Sequence, residues 1–323
     1  MTVLVTGGAG YIGSHVVRLL RERGDSVVVV DDLVTGVAER IVGAPLVQMD
    51  LSDSRSLPLL EATMLEHDVH SVMHFAGRKQ VPESINKPAW YYLQNIGSLA
   101  NVLLAMEAAH VPRLVFSSSA AVYGSSEGLA LRESAPTRPI NPYGQSKLAG
   151  EWLVEAAVIP LGLRASSLRY FNVAGAGWPD LGDTAVLNLV PLVFERLSQR
   201  MAPHIFGGDY PTPDGTCIRD YVHVLDLAEA HLATLDSLGE GPPRHEVFNV
   251  GTGLGSSVRM IIDEILAVSG IDISPVVLER RTGDPSVVVA DPRAIAEVVG
   301  WAASRGLTDI VNSAWNSHEG IGR

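Results

Sequence analysis

Short apolar runs and longer amphipathic segments alternate along the first half of the chain. Each run is nearly continuous in apolar and β-branched residues, which is typical of a strand covered on both faces of a parallel sheet. The runs are Val3–Thr6, Ser26–Asp31, Leu46–Asp50, Ser71–Phe75, Arg113–Ser118 and Arg164–Arg169. Because segments of helical character separate them, the pattern predicts an α/β fold built on a doubly wound parallel sheet.

Helical periodicity is clearest on either side of the fifth run. The apolar positions from Leu99 to Met106 share one face of a helix. Pro142 suits the first turn of another helix, because the N–H that proline lacks has no partner there. We expect that helix to reach about Val158.

Beyond Asn172 the chain is rich in Gly, Pro and Asp, and only short helices are expected. They are predicted at Ala185–Gln199, Leu225–Leu235 and Val258–Val268, with one more sheet strand at Glu246–Val250. Since that late strand belongs with the early ones, the chain is predicted to cross between two domains. The first comprises residues 1–171 plus about 219–249, and a smaller mixed α/β domain comprises residues 172–218 plus 250–323.

Composition narrows the possible partners. Among 323 residues, 24 Lys and Arg face 36 Asp and Glu, a net charge of −12 that disfavours binding to nucleic acid or to an anionic membrane. No apolar stretch approaches the ~20 residues of a membrane helix. Cys217 is the single cysteine, and Met1–Thr6 lacks the basic start of a secretory signal. We therefore expect a cytoplasmic protein.

A glycine-rich loop follows the first strand directly. Gly7, Gly10 and Gly13 enclose Tyr11 and Ile12 before an apolar helix begins. Glycines at this spacing let the backbone approach a pyrophosphate, which the helix N-terminus attracts. Asp31, at the end of the second strand, suits the ribose hydroxyls and would repel a ribose phosphate. Asp32 follows with no arginine beside it, so the sequence predicts a Rossmann domain that binds NAD rather than NADP.

Tyr143 and Lys147 lie four residues apart on one predicted helix. A tyrosine, with a pKa near ~10, becomes a base at neutral pH only when positive charge stabilises the phenolate. Lys147 and an oxidised nicotinamide would supply that charge, and Ser119 could bind the same substrate oxygen. Such a pair alone is common on solvated helix faces, but together with the glycine loop it favours a catalytic site.

The chain resembles the extended short-chain dehydrogenase/reductase family and, within it, the 4-epimerases of UDP-glucose and UDP-galactose. The resemblance spans nearly the whole length and lies in specific strings. They are Val3-Leu4-Val5-Thr6-Gly7-Gly8, His74-Phe75-Ala76-Gly77, Ser117-Ser118-Ser119-Ala120-Ala121-Val122-Tyr123-Gly124, Pro142-Tyr143-Gly144-Gln145-Ser146-Lys147, Arg169-Tyr170-Phe171-Asn172 and Arg219-Asp220-Tyr221-Val222-His223-Val224. Further on, Ile205–Thr212 and Asp214–Thr216 resemble a uridine-side loop of those epimerases.

The resemblance implies a reaction cycle. Tyr143 takes the proton of the sugar 4-hydroxyl while hydride passes from C4 to tightly held NAD, the 4-keto sugar rotates, and hydride and proton return on its other face. The first domain would then bind NAD and the second the UDP-sugar. The implied cofactor contacts, beyond the glycine loop and the two aspartates, are Asp50, Leu51, Phe75, Ala76, Gly77, Arg78, Lys79, Asn95, Ser119, Tyr143, Lys147 and Phe171. The implied substrate contacts are Ser119, Tyr143, Asn172, Asn188, Leu189, His204, Ile205, Phe206, Arg219, Arg281, Thr282, Gly283, Asp284 and Val288.

Some positions depart from the usual epimerase pattern. Leu187 stands where many epimerases have a second amide, and Ile96–Ser98 replaces a run that contains asparagine. Val288 stands where some epimerases have a bulky tyrosine, so we hypothesise that N-acetylated sugars are also accepted. Ser118-Ser119-Ala120 lacks the acidic pair of the related dehydratases.

Other functions stay open at this point because a fold alone does not decide function. A nucleotide-sugar reductase, dehydratase or decarboxylase uses the same fold, and an NAD sensor without turnover would tolerate loss of the Ser-Tyr-Lys set. We expect no metal site, since Asp220 with His223, and His67 with His70 and His74, make no convincing ligand set. The resemblance further suggests that the helices near Leu99 and after Pro142 form the interface of a homodimer.

Overall fold

The computed structural model describes residues 1–125, 128–281 and 283–321. The strands within these ranges are β1 (Thr2–Thr6), β2 (Ser26–Asp31), β3 (Leu46–Gln48), β4 (Val69–His74), β5 (Arg113–Ser117), β6 (Gly128–Leu131), β7 (Arg164–Tyr170), β8 (Asn172–Ala174), β9 (His204–Phe206), β10 (Ile218–His223), β11 (Arg244–Val250), β12 (Gly255–Ser257), β13 (Val276–Leu278) and β14 (Val287–Ala290). The α-helices are α1 (Tyr11–Glu22), α2 (Leu57–Glu66), α3 (Val81–Asn86), α4 (Pro88–Tyr92), α5 (Ser98–Ala108), α6 (Pro142–Leu161), α7 (Leu189–Ser198), α8 (Val224–Ser237), α9 (Val258–Ser269), α10 (Arg293–Val299) and α11 (Leu307–Ile321).

Seven strands form one parallel sheet in the order β11-β7-β5-β4-β1-β2-β3. The strand order reverses beside β1, as in doubly wound folds, which confirms the predicted Rossmann architecture. All seven strands predicted from the sequence are present, with ends within about two residues, the usual uncertainty of a strand boundary. The prediction succeeded because β1, β2, β4, β5 and β7 are almost wholly buried, although the edge strands β3 and β11 are less so.

Helices cover the sheet on both sides. One apolar cluster joins β1 and β2 to the inner faces of α1 and α8, with Val16, Leu20 and Leu227 fully buried. The other joins the opposite face to α2, α5 and α6 through residues such as Leu60, Leu99 and Val154. The two clusters hold the strand ends, and hence the loops that follow them, in fixed positions.

The remaining strands form smaller sheets beside the carboxyl ends of the large one. One has the order β12-β10-β14-β6, with β8 paired to β10, and β9 pairs with β13. Helices α7, α9 and α11 pack together in a third apolar cluster. Ile295 and Trp301, although late in the chain, pack with the cluster of α1 and α8.

One predicted helix starts later in the structure, and one helix was not predicted. Helix α7 begins at Leu189 and not at Ala185, because the Asp183 carboxylate accepts bonds from Ala185 N and Asn188 Nδ2 and holds a turn there. Helix α11, which has 15 residues and packs against α9, is not among the helices predicted beyond Asn172. No helix in the described part of the chain is long and apolar enough to cross a membrane.

Candidate active site

A cavity of about 540 Å³ lies where the strands of the large sheet end. The residues that follow β1, β2, β4, β5 and β7 all line it, because parallel strands present their carboxyl ends at one edge. Of the predicted site residues, it is lined by Gly7, Gly10, Tyr11, Ile12, Gly13, Asp31, Asp32, Asp50, Leu51, Phe75, Ala76, Gly77, Arg78, Lys79, Ser119, Tyr143, Lys147, Phe171, Asn172, Asn188, Leu189, Arg219 and Val288. Asn95, His204, Ile205, Phe206, Arg281 and Asp284 lie outside this lining, and Thr282 lies outside the described residues.

The glycine loop forms a cradle that side chains would fill. Gly7 has a φ of +68°, and a Cβ there would lie 2.6 Å from the backbone N of Ala76. A Cβ at Gly13 would collide with the carbonyl oxygen of Gly7. Helix α1 starts after Gly10 without a side-chain cap, so its first amides remain available for an anion. The loop therefore fits a dinucleotide pyrophosphate.

Asp31 lies at the end of β2 with its carboxylate buried. Its oxygens accept hydrogen bonds from Ala9 N at 3.0 Å and Leu33 N at 2.9 Å. Burial raises the pKa of this carboxyl, and the two amide bonds act in the opposite direction. The bond to Ala9 fixes Asp31 against the glycine loop, where a ribose hydroxyl would meet it.

An arginine does lie beside Asp32, contrary to the argument from sequence. Arg78 comes from the loop after β4, and its Nη2 donates to Asp32 Oδ2 at 2.6 Å. Its Nε donates to Gln94 Oε1 at 2.9 Å. The guanidinium is thus committed to a carboxylate, which leaves the preference for an unphosphorylated ribose intact.

Tyr143 is held at the start of α6. Asn141 caps this helix by accepting a hydrogen bond from Gly144 N at 2.9 Å, and Pro142 occupies the first turn. The Tyr143 hydroxyl is hydrogen-bonded to the Ser119 side chain, and both side chains line the cavity. Burial raises the pKa of Tyr143, and the bond to Ser119 lowers it in part. A base at this position therefore needs positive charge close by.

Lys147 lies one turn further along α6 and is buried. Its Nζ donates to the carbonyl oxygen of Ser117 at 2.9 Å and lies 5.3 Å from the centre of the Phe116 ring. Burial lowers the pKa of Lys147 to about 8, so the side chain still carries charge at neutral pH. The carbonyl of Ser117, at the end of β5, fixes where that charge sits.

A buried ion pair lies beside Ser118, the neighbour of Ser119 in the chain. Ser118 Oγ donates to Glu151 Oε1 at 2.5 Å, and Arg169 Nη2 donates to Glu151 Oε2 at 2.6 Å. Arg169 also donates to the hydroxyl of Tyr123 at 3.0 Å. This network ties β5, α6 and β7 together one residue away from Ser119.

Asn95 supports the cofactor loop from outside the cavity. It lies in a π-helical turn, Leu93–Gly97, between α4 and α5. Its Oδ1 accepts from Arg78 N at 2.7 Å, and its Nδ2 donates to Arg78 O and Ser146 Oγ. The loop after β4 is thereby fixed to α6.

The predicted substrate residues fall into two groups. Asn172, Asn188, Leu189 and Val288 line the cavity with Arg219. The outer residues form contacts among themselves: the Arg281 guanidinium lies 4.0 Å from the centre of the Phe206 ring, and His204 packs edge-on against the same ring. Arg219 joins the groups, because its Nη2 donates to Asp284 Oδ1 and to Pro285 O.

The residues set aside as structural have internal partners. Asp220 is buried and accepts hydrogen bonds from Thr252, Gly253 and Ala290. His223 accepts from Leu225 N at the start of α8. Within the described ranges, no group of three or more His, Cys, Asp or Glu is placed to hold a metal ion.

Sequence reasoning missed several residues that line the cavity. Tyr170, at the end of β7, is hydrogen-bonded to the Ser117 side chain and lies near Tyr143. Arg40 and Asp183 also line the cavity. Tyr170 could have been found, since it immediately precedes Phe171, but no spacing in the sequence singles out Arg40 or Asp183.

The family model described as "NAD dependent epimerase/dehydratase family" matches residues 3–251. The chain belongs to this family. The resemblance to extended short-chain dehydrogenases is thereby confirmed, and the epimerase family accounts for the shared loop and catalytic strings. A UDP-glucose 4-epimerase of Azospirillum brasilense is 46% identical over 97% of this chain and 90% of its own length.

Solved structures of this family share the fold over the whole chain. A UDP-glucose 4-epimerase from Stenotrophomonas maltophila, with bound NAD and formylated UDP-arabinopyranose, has a TM-score of 0.94 and 38% identity, covering 100% of this chain and 99% of its own. A UDP-Glc/GlcNAc 4-epimerase from Campylobacter jejuni has a TM-score of 0.86 and 35% identity, covering 98% and 99%.

Proposed function

We propose that the protein is a UDP-sugar 4-epimerase that interconverts UDP-glucose and UDP-galactose with NAD as resident cofactor. The observation that carries this proposal is the placement of Ser119, Tyr143 and Lys147 in the same cavity as the glycine loop. A proton acceptor therefore lies beside a dinucleotide site. The relatives named UDP-glucose 4-epimerase, which this chain matches over almost their full length, support the same reaction.

Bound NAD would accept hydride from C4 of the sugar and return it. Tyr143 removes the proton of the 4-hydroxyl, and Ser119 binds the same oxygen through a second hydrogen bond. Because burial raises the pKa of Tyr143, the phenolate depends on the Lys147 ammonium, which the Ser117 carbonyl holds in place. On the return step Tyr143 gives the proton back, so the residues end the cycle unchanged.

We assign the roles of the site residues on this basis. Gly7, Gly10, Tyr11, Ile12, Gly13, Asp31, Asp32, Asp50, Leu51, Phe75, Ala76, Gly77, Lys79, Asn95 and Phe171 serve the cofactor. Asn172, Asn188, Leu189, His204, Phe206, Arg219, Arg281, Asp284 and Val288 serve the UDP-sugar. Residues 1–171 with about 219–249 form the NAD domain, and residues 172–218 with 250–323 form the UDP-sugar domain. Ile295 and Trp301 pack with the cluster of α1 and α8, which favours assigning the segment around these two residues to the NAD domain.

The test uses protein loaded with NAD and freed of unbound cofactor. UDP-galactose is added, and we expect UDP-glucose to form over many turnovers without further NAD. Tyr143→Phe should lower the rate by about 10²–10⁴-fold, whereas Tyr92→Phe, an exposed tyrosine, should not. Accumulation of NADH, loss of water or CO₂ from the sugar, or NAD binding without any change at C4 would instead identify a reductase, a dehydratase, a decarboxylase or a sensor.

We further propose that N-acetylated UDP-hexosamines are substrates. Val288 lines the cavity and pairs with Arg219 across β14 and β10, so a small side chain stands beside the sugar region. The Campylobacter jejuni relative, named for both sugars, supports this. Val288→Tyr should abolish turnover of UDP-N-acetylglucosamine and keep that of UDP-galactose. Absence of the N-acetyl activity in the unaltered protein contradicts the proposal.

We also propose a cytoplasmic homodimer. Large apolar side chains are exposed on the neighbouring helices α5 and α6. On α6, Trp152 and Ile159 are 64% and 77% exposed. Leu104 on α5 and Leu93 in the turn before α5 are exposed as well. Trp152 and Ile159 are seven residues apart and so share one face. A contiguous apolar surface of this kind favours a two-fold interface. The lone buried Cys217 fits a reducing compartment.

A further inference from the structure

Arg40 connects two parts of the cavity wall that are far apart in sequence. It lies in a 3₁₀ turn, Ala38–Ile41, after β2, where Val37 N donates to Ala9 O of the glycine loop at 2.9 Å. Its Nη2 donates to the carbonyl oxygen of Gly182 at 2.6 Å and to Thr184 Oγ1 at 3.3 Å. Since Arg40 and Thr184 both line the cavity, the guanidinium bridges its nucleotide side.

The charge of Arg40 lies close to the glycine loop. Arg40 interacts electrostatically with Tyr11, the first residue of α1, and with Asp183. Asp183 is itself held by bonds from Ala185 N and Asn188 Nδ2. Within the described residues, no hydrogen bond from Nε or Nη1 of Arg40 is found, so these donors stay available for phosphate oxygens.

Three other cations of the cavity lining are committed elsewhere. Arg78 is paired with Asp32, Arg219 with Asp284, and Lys147 with the Ser117 carbonyl beside Tyr143. Lys79 follows Arg78 in the loop after β4. The pyrophosphate of a dinucleotide carries two negative charges, and Arg40 is a cavity-lining guanidinium that interacts electrostatically with Tyr11, beside the glycines that would hold them.

We propose that Arg40 is a cofactor-retaining residue, whose bridge to Gly182 and Thr184 closes the cavity over the pyrophosphate of the bound dinucleotide. The cofactor then leaves only when this bridge opens. An enzyme that reuses one cofactor in each cycle benefits from slow release, and to that extent the inference rests on the proposed function.

The structure offers a matched control for this bridge. Arg18 also reaches the same segment, because its Nη1 donates to both carboxylate oxygens of Asp180 and its guanidinium packs on the Trp178 ring. Arg18 does not appear in the cavity lining. Arg18→Ala therefore loosens the segment without removing a charge from the cavity.

The experiment measures release of NAD directly. Protein loaded with NAD is mixed with an excess of an unrelated NAD-dependent dehydrogenase and its substrate, which converts each released NAD to fluorescent NADH. We expect Arg40→Ala to raise the dissociation rate by about tenfold or more, as for loss of a charge-assisted hydrogen bond. Arg40→Lys should fall between, since lysine keeps the charge but lacks the fork. Arg18→Ala should stay within about twofold.

Release from Arg40→Ala within about twofold of the unaltered protein, or an equal increase in Arg18→Ala, would overturn the inference. If Arg40→Ala does not fold, as judged by circular dichroism, Arg40→Lys decides in the same way. A protein that holds no NAD at all contradicts the proposed function. A protein that holds NAD and epimerises, yet releases NAD from the Arg40 variants at the native rate, contradicts only the role of Arg40.

Discussion

Two adjacent aspartates at the end of β2 face different partners. Asp31 accepts backbone amides of Ala9 and Leu33 and is buried, whereas Asp32 is paired with the Arg78 side chain. The Asp31 carboxylate therefore fixes the backbone at Ala9 and Leu33. Asp32 neutralises a guanidinium that would otherwise attract a phosphate on the ribose. We therefore expect the preference for NAD to depend on the Asp32–Arg78 pair as well as on Asp31.

Asp32→Ser should shift the cofactor preference toward NADP. The substitution leaves Arg78 at the cavity without its carboxylate, so the ratio of the NADP to the NAD dissociation constant should fall by about tenfold. Asp31 still opposes the extra phosphate, which limits the gain. Titration of each cofactor by intrinsic fluorescence measures the ratio. The double variant Asp32→Ser with Arg78→Ala should lose the gain, and a single variant with the native ratio contradicts the explanation.

Local spacing explains which residues could be predicted from the sequence. The glycine loop, Asp31 and the Tyr143–Lys147 pair each occupy a short segment with a defined geometry, so their convergence on one cavity could be expected. The pairs Arg78–Asp32 and Arg40–Gly182 join residues 46 and 142 positions apart. Such contacts depend on how loops pack across the sheet ends, and no periodicity in the sequence records that packing.

Among the elements, helix α6 contributes both to the cavity and to the outer surface. Tyr143 and Lys147 line the cavity, and Glu151, one turn on, is buried against Arg169 of β7. Side chains at this spacing share one helix face. The same helix turns Trp152 and Ile159 outward. One element therefore carries the proposed catalytic pair on one side and the proposed dimer surface on the other.

Glu151→Gln should destabilise the protein strongly. It leaves the Arg169 guanidinium buried without a balancing charge, and breaking one partner of such a pair costs about 3–5 kcal/mol. Urea unfolding followed by circular dichroism gives the free energy of unfolding. The double variant Glu151→Met with Arg169→Met should recover much of the loss. Arg55→Ala, at an exposed ion pair, should change little. Equal stability of Glu151→Gln and the native protein would refute a structural role for the pair.

Trp152→Glu should convert the proposed dimer to a monomer. A carboxylate on the outward face of α6 would be buried unpaired at a two-fold contact, next to the same charge from the second copy. Sedimentation velocity at several protein concentrations measures the mass. Leu254→Glu, at an exposed leucine of another surface, should leave the mass unchanged. A native protein that sediments as a monomer rules out the interface.

Strands whose apolar residues are buried were predicted correctly from the sequence. The start of α7 was predicted wrongly, because a side chain holds a turn before it. The central strands of the large sheet are almost wholly buried, so their apolar runs mark them clearly. The start of α7 depends on Asp183, whose side chain competes with the helix for backbone and amide donors. In α11, Ile310, Val311, Ala314 and Trp315 do show helical spacing, and this signal was available in the sequence.

At the scale of the whole molecule, four histidines are buried as neutral groups. Burial lowers the pKa of His15, His223 and His231 to about 4 and that of His74 to about 3. Each makes internal hydrogen bonds, for instance His231 Nδ1 with Leu227 O at 2.8 Å. All four lie in the proposed NAD domain and therefore make its stability depend on pH.

The free energy of unfolding should fall as the pH drops below 6.5. Between pH 6.5 and about 4 the unfolded chain binds protons that the folded one excludes, so each histidine contributes up to about 1.4 kcal/mol per pH unit. The stabilising effect is complete above pH 6.5. Urea unfolding at pH 7.5, 6 and 5 measures the slope, and His231→Gln should reduce it. A free energy that is constant from pH 7.5 to 5 contradicts this prediction.

The seventh strand of the sheet comes from late in the chain, which affects how the protein is made. β11 pairs with β7, and residues 171–243 lie between them. On the ribosome, the edge of β7 stays open until residues 244–250 have emerged, long after the glycine loop and the Tyr143–Lys147 pair. A chain that stops in this interval already contains that loop and that pair but exposes an unpaired strand. Truncated forms should therefore aggregate during synthesis, and chaperones that cover strand edges should raise the yield of the full-length protein.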